Sequence, residues 1–136
     1  DVYKRQVDED YGQLDALKNG EPVYPVAFPC VLVGIPETVW GNLKADTQRG
    51  EPTLSVRLAF DCGVHPPVDE STAVERATQR YQLVKRLNDA VQGWGFEGCR
   101  SAAVRTKSVQ TVEPGNVKVY EQQYAVMVIE REVRTA

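Results

Sequence analysis

The residues best suited to chemistry stand close together in one short segment of the 136-residue sequence. Cys62 and the single histidine, His65, lie three positions apart, with Asp61 and Asp69 on either side. A thiolate beside an imidazole base can act as a nucleophile, and the same groups ligate zinc. A structural zinc site needs four ligands, however, and the sequence has no second Cys or His pair at ligand spacing. We interpret Cys62 as a packed strand-end residue and His65 as a solvated loop residue, and predict no catalytic residue, cofactor or metal.

Two further patterns suggest chemistry and have simpler explanations. The segment GWGFEG at 93–98 lacks the Lys-Ser or Lys-Thr ending of a phosphate loop and follows a helical pattern instead of opening one. Asp8, Glu9 and Asp10 offer paired carboxylates, which we interpret as a solvated acidic run. The sequence therefore favours a protein that is not an enzyme. A small cytosolic enzyme or ligand-binding domain that uses the loop from Cys62 to His65 remains the alternative.

Composition narrows the class of partner. The chain is 42% hydrophobic and 26% charged, with a formal net charge of -3, which is typical of a globular domain. A mildly acidic chain is poorly suited to neutralise phosphates, so nucleic acid is not expected as the main partner. The longest apolar run, around Val31 to Ile35, is far shorter than the roughly 20 residues that span a bilayer, so no membrane segment is expected. Three widely spaced cysteines, Cys30, Cys62 and Cys99, do not form a disulfide pattern and favour the cytoplasm.

Hydrophobic periodicity predicts the strands that must position any site. Residues 54–60 alternate strictly, with Leu54, Val56, Leu58 and Phe60 on one face. The apolar run CVLVGI at 30–35 predicts a buried strand, and 99–112 and 117–130 predict two strands joined by EPGN. Between the first two strands, residues 36–52 either continue the first strand through Val39 and Leu43 or form a turn or long hairpin loop with a mobile tip, as Gly41, Gly50 and Pro52 indicate.

One long helix is predicted between the strand pairs. Thr72 and Glu75 have the spacing of a capping box at its start, and Gly93 is placed to cap its end. The apolar stripe that would pack on the sheet comprises Val74, Ala77, Tyr81, Val84, Leu87 or Asn88, and Val91.

The element order predicts an α+β fold, with a mainly antiparallel four-stranded sheet and one long helix packed on one face. Residues 7–131 form the single domain, which begins with a weak extended piece near Val7 to Gln13 and a connector that reaches residue 29. Residues 1–6 are interpreted as a fragment end or cloning scar, and 132–136 as a C-terminal tail. The second face of the sheet needs a further helix or a neighbouring subunit to cover it.

The whole pattern resembles the tail-terminator, or tail-completion, proteins of long-tailed bacteriophages and prophages. The resemblance is carried by the entry strand YPVAFPCVLVGI, the hairpin to LSVRLAFDC, the helix AVERATQRYQLVKRLNDAVQGW and the closing hairpin SAAVRTKSVQTVEPGNVKVYEQQYAVMVI. The lead-in VDEDYGQLD is similar to phage-derived proteins of gut bacteria. The likeness covers about residues 7–131 and rests on element order, without an invariant motif.

This resemblance implies a virion structural protein. Members assemble as a ring, typically a hexamer, on the last ring of the tail tube, stop its polymerisation and form the surface that joins tail to head. The implied partners are other copies, the major tail-tube protein and a head-completion protein, first in the bacterial cytoplasm and then in the virion tail. A helix that usually precedes the first strand is missing here. Another head-tail connector of similar fold remains an alternative.

The surfaces that would carry such assembly can be named from the residues. Trp40 is either a core residue or an interface anchor, and four basic residues (Arg57, Arg105, Lys107 and Lys118) form either a solvated sheet face or a stripe that contacts an acidic partner. By analogy with ring-forming architecture, the 36–52 segment and the strand edges are expected to contact neighbours. The predicted interface residues are Trp40, Leu43, Lys44, Arg49, Arg57, Arg105 and Lys107.

Overall fold

The structure is a computed structural model that describes residues 6–14, 28–62, 70–95, 99–113 and 116–131. Six strands and one long helix follow one another along these ranges. They are β1 (Gln6–Glu9), β2 (Cys30–Lys44), β3 (Thr47–Asp61), α1 (Glu70–Val91), β4 (Val104–Glu113), β5 (Val117–Ala125) and β6 (Val128–Arg131).

The strands form one mixed sheet in the order β1-β2-β3-β5-β4, with β6 beside β3. β1 runs parallel to β2, whereas every other pairing is antiparallel. The prediction of an α+β fold with a mainly antiparallel four-stranded sheet is therefore wrong, because the described chain is mostly strand and its sheet has six strands. The two additional strands are β1, from the acidic lead-in, and β6, which separates from the end of the last predicted strand.

The segment 36–52 is a strand ribbon, which confirms the predicted continuation of the strand through Val39 and Leu43 and corrects the alternative of a long loop. β2 and β3 stay paired up to a turn at Ala45 and Asp46. A register shift between Gly34 and Glu37 accommodates Pro36, so the proline is absorbed as a β-bulge. Asp46 fastens the tip, since its carboxylate accepts hydrogen bonds from Thr47 Oγ1 at 3.1 Å and Arg131 Nε at 3.2 Å.

Pro52 explains why the last strand is divided. β5 and β6 pair with β3 in one continuous register, which places Val126 opposite Pro52. Proline has no amide hydrogen to donate, and the remaining bond from Val126 N to Pro52 O is stretched to 3.5 Å. The ladder is interrupted at this point. The segment before β4 binds the backbone of Met127 instead. The Met127 amide donates to Ser101 Oγ at 2.9 Å, and its carbonyl accepts from Arg100 N at 2.7 Å.

The sheet has an apolar cluster on each face. The predicted alternation in β3 is confirmed, since Leu54, Val56 and Leu58 are buried on the helix side together with Tyr124. Four helix residues pack against this cluster: Leu83, Val84, Leu87 and Val91. The opposite face contains a second cluster of Leu14, Cys30, Leu32, Ala59, Val117 and Val119, with Phe28 against it. Residues of the lead-in thus cover part of the face that was expected to be bare.

The helix differs from its predicted form at its start. It begins at Glu70, ahead of the proposed cap Thr72, whose side chain lies outside the described part of the chain. The predicted stripe holds in the second half of α1, but Val74 and Tyr81 are 61% and 68% exposed. The cap at Gly93 is confirmed, with a φ of 84°.

Candidate interaction surfaces

The described surroundings of Cys62 contain fewer groups suited to catalysis or metal binding than the sequence around it suggests. Its side chain is half-buried, and its Sγ lies 4.0 Å from the carbonyl oxygen of Phe60, two residues back. It borders a shallow pocket of about 370 Å³ with Arg76 and Arg80. His65 lies outside the described residues, as does Asp69. Within the described ranges, no three Cys, His, Asp or Glu residues are grouped so that they could hold a metal ion.

The acidic lead-in is attached to the sheet through Asp10, which corrects the prediction of a wholly solvated acidic run. An Asp10 carboxylate oxygen lies 3.2 Å from Arg57 Nη1, and each side chain is only 18% exposed. The other carboxylate oxygen accepts the Gly12 amide at 3.1 Å, and the Asp10 amide donates to the carbonyl of Val33 at 2.8 Å. Arg57, one of the predicted interface residues, is therefore engaged within its own chain.

This ion pair lies close to the buried thiol of Cys30. Burial raises the pKa of Cys30, and the Asp10 carboxylate raises this pKa further, while the Arg57 guanidinium lowers it. Cys30 is fully buried in the second apolar cluster. It is therefore placed as a core residue and not as a reactive thiol.

The four basic residues do not form one stripe. Paired residues in neighbouring strands project to the same face, so Arg57, which pairs with Glu121, and Lys107, which pairs with Gln123, lie on the lead-in face. Arg105 donates to the buried Gln122 on the helix face. Lys118 also lies on that face, because it pairs with Phe60. The predicted stripe is thus divided into two pairs, with Arg57 and Lys107 on the lead-in face and Arg105 and Lys118 on the helix face.

Exposed apolar side chains are concentrated on the strand ribbon, defined here as residues 35–52. Four large apolar residues are between 43% and 57% exposed, namely Ile35, Val39, Trp40 and Leu43. Lys44 is exposed at the turn, and Arg49 pairs with Glu51 at 2.9 Å, with both side chains about half exposed. The predicted interface residues Trp40, Leu43, Lys44 and Arg49 thus share one element.

Trp40 combines the two roles that the sequence left open. It pairs across the ribbon with Gly50, and its six-membered ring lies directly over that glycine. A Cβ atom added to Gly50 would stand 2.6 Å from Trp40 Cζ3. The indole therefore packs against its own chain on one side while 43% of the residue remains exposed.

A groove of about 650 Å³ runs between α1 and strands β4 and β5. Hydrogen bonds order the polar side chains at and beneath its floor: Tyr124 Oη donates to Asn88 Oδ1 at 3.0 Å, and Ser108 Oγ and Arg105 Nη1 donate to Gln122 Oε1 at 2.8 and 3.1 Å. Burial raises the pKa of the Tyr124 hydroxyl, and the nearby Arg105 guanidinium partly opposes this. Asn88 and Gln122 in the floor are therefore held by hydrogen bonds within the chain.

The charges that line the groove are mostly positive. Lys85, Arg105 and Lys118 face it, against the single acidic residue Asp89 among its lining. The Lys118 ammonium lies 5.6 Å from the centre of the Tyr120 ring, which holds it beside the groove. Sequence reasoning missed this groove, although the polar Gln122 within the apolar pattern of β5 was a signal for it.

Over the described residues the sheet has open edges at the short terminal strand β1, along β2 beyond Val33, and at β4. β1 pairs with only the first four residues of β2, which leaves β2 from Gly34 to Lys44 without a strand on its outer side. β4 is the last strand at the other end of the sheet and is exposed along most of its length. Such edges present backbone donors and acceptors that no strand pairs. At the start of β4, the Arg105 amide donates instead to Gln92 Oε1 at 3.1 Å.

Neither the scan against protein-family models nor the search of curated proteins finds a match to this chain. In the part of the chain that the structure describes, no helix is both long and apolar enough to cross a bilayer.

Proposed function

We propose that this protein acts by assembly, as a virion structural protein that caps the phage tail tube, ends its polymerisation and forms the surface that joins tail to head. Its partners in this role are other copies of itself in a ring, the major tail-tube protein and a head-completion protein. The ribbon carries the proposal, because it presents four partly exposed large apolar side chains on an element that β6 supports.

The ribbon is suited to contact because it holds its shape before it meets a partner. β6 pairs with β3 along Thr47 to Gly50, so the tip is backed by a third strand. The ion pair between Arg131 and Asp46 and the packing of Trp40 on Gly50 restrict it further. A preformed apolar surface loses little conformational entropy on binding, which favours a stable interface.

The positions of the exposed surfaces favour a ring over a symmetric pair. The exposed ribbon lies at one side of the sheet, and a neighbouring copy can meet it with a different surface. Contacts between two different surfaces are heterologous, and heterologous contacts close into rings when the rotation between copies allows it. This arrangement agrees with the ring that the resemblance implies.

The test uses charge on the ribbon. Val39 and Leu43 are 57% and 55% exposed, so the double variant Val39→Glu, Leu43→Glu should keep its fold by circular dichroism. We expect the unmodified chain to form a uniform ring on purified tail tubes, seen by electron microscopy, and the double variant to leave tube ends bare. A shorter ribbon is a poor test, because Thr47 and Gly50 are buried in the sheet.

A matched control separates the ribbon from general surface charge. Val74 on α1 is 61% exposed, and Val74→Glu should cap tubes as the unmodified chain does. Rings that form unchanged with the double variant would contradict the role of the ribbon. The genes beside this one provide an independent check: tail-tube and head-connector genes are expected there, and metabolic genes with no virion components would contradict the proposal as a whole.

A further inference from the structure

We propose that the outer edge of β4 and the adjoining groove bind an extended acidic segment of a partner protein by strand addition. The partner segment would pair its backbone with β4 and direct alternate carboxylates over the groove. This proposal does not depend on the tail-cap function, since it rests on hydrogen-bonding groups and charges of the described residues.

The open edges are unequal as templates for a further strand, and β1 offers only four residues. The edge of β2 contains Pro36 and two register shifts, one between Gly34 and Glu37 and one between Asn42 and Lys44. Proline and bulges are devices that prevent a strand from pairing further. In β4 the only shift lies between Arg105 and Lys107, and the register from there to Glu113 is regular, without proline. β4 is therefore the edge that can accept another strand.

The groove determines which side chains such a strand should carry. Added strands lie about 4.8 Å from their neighbours, with alternate side chains on each face of the sheet. Ser108 and Gln110 of β4 pair with Gln122 and Tyr120, so they point to the helix face, where α1 stands alongside. Every second side chain of an added strand would enter the same space.

Charge complementarity selects carboxylates for those positions. The groove lining contains Lys85, Arg105 and Lys118 but only one acidic residue, Asp89. Although the whole chain has a net charge of -3, this surface is locally basic. Tyr81 lines the same groove and is 68% exposed, so it offers an aromatic wall to the aliphatic part of a glutamate. An extended acidic segment would therefore pair its backbone with the edge of β4 and place its carboxylates beside the basic residues of the groove.

The test uses three blocked seven-residue peptides, titrated into the isotopically labelled protein and followed by NMR. The first alternates glutamate with valine, the second replaces glutamate with lysine, and the third is the first with alternate backbone amides methylated. We expect the first to bind and to shift every second amide of β4. The lysine peptide should bind roughly tenfold or more weakly, from a difference of about 1.4 kcal/mol. Equal binding of the methylated peptide would exclude strand addition.

Two charge reversals locate the site. Lys85→Glu changes an exposed groove residue and should weaken binding of the glutamate peptide by roughly tenfold. Lys44→Glu makes the same change on the exposed ribbon and should leave binding unchanged. Equal weakening by both variants would show only general attraction between charges and overturn the proposal, as would the absence of any binding at millimolar glutamate peptide.

Discussion

The contact between Trp40 and Gly50 gives the most direct test of the ribbon, through the substitution Gly50→Ala. The methyl group would stand 2.6 Å from Trp40 Cζ3 and 2.9 Å from both Cε3 and Cη2. These distances are shorter than carbon atoms can approach, so the indole must leave its place. Because the indole is on the exposed surface of the ribbon, it can swing outward without unfolding the sheet.

The expected decrease in the free energy of unfolding follows from the apolar surface that the indole buries. More than half of Trp40 is buried. If roughly 100 Å² of this contact returns to water at about 25 cal/mol per Å², the loss is ~2.5 kcal/mol. Alanine recovers about 0.5–1 kcal/mol because glycine is entropically unfavourable in a strand. We therefore expect Gly50→Ala to lower the free energy of unfolding by ~1.5–2 kcal/mol.

A double-mutant cycle isolates this contact, with stability measured by urea unfolding. In a Trp40→Ala background the clash is absent, so Gly50→Ala should instead raise the free energy of unfolding by ~0.5–1 kcal/mol. The emission of Trp40 should shift to longer wavelength in the single variant Gly50→Ala, with Trp94 replaced by phenylalanine in all samples. Additive effects of the two substitutions, with unchanged emission, would refute the packing described here.

Further predictions concern the lead-in, the buried thiol and the helix cap. Asp10→Asn keeps an acceptor for Gly12 but loses the pair with Arg57, so the free energy of unfolding should fall by about 1–2 kcal/mol in urea titrations, and an unchanged value would count against the attachment. Cys30 should resist thiol reagents in the folded protein and react only on unfolding. Because burial raises the pKa values of Cys30 and Tyr124 above their ordinary 9.0 and 10.0, stability from these groups should be complete below about pH 9 and decline as pH rises further, in thermal melts across that range. Gly93→Ala must hold alanine at a φ of 84° and should lower stability by ~1 kcal/mol, and an unaltered melting temperature would contradict the cap.

The sequence predicted those parts of the fold that depend on local patterns. The alternation of Leu54, Val56 and Leu58 places them on one buried face because strand geometry alone fixes a period of two. Gly93 was recognised because a helix end has its own local signal. These features required no knowledge of distant residues.

The missed features depend on partners far away in the chain. The lead-in was predicted as a weak extended piece, but its parallel pairing with β2 and the contact of Asp10 with Arg57 across 47 positions have no local signal. The ribbon contains residues that disfavour strands locally, and tertiary pairing overrides them: a bulge accepts Pro36, and Trp40 covers Gly50. The same holds for the groove, whose charges come from α1, β4 and β5 and meet only after folding. The loop with His65 lies outside the described residues, so its interpretation remains a prediction.

The position of β3 has a consequence for how the chain is made. This central strand pairs on one side with β2, which precedes it, but on the other with β5 and β6, where Asp61 meets Val117 and Thr47 meets Arg131. At about 5–20 residues per second, a ribosome needs on the order of ten seconds to supply that second side. Throughout this interval the nascent β2–β3 hairpin leaves Leu54, Val56 and Leu58 uncovered, which gives a chaperone an apolar surface to bind during translation.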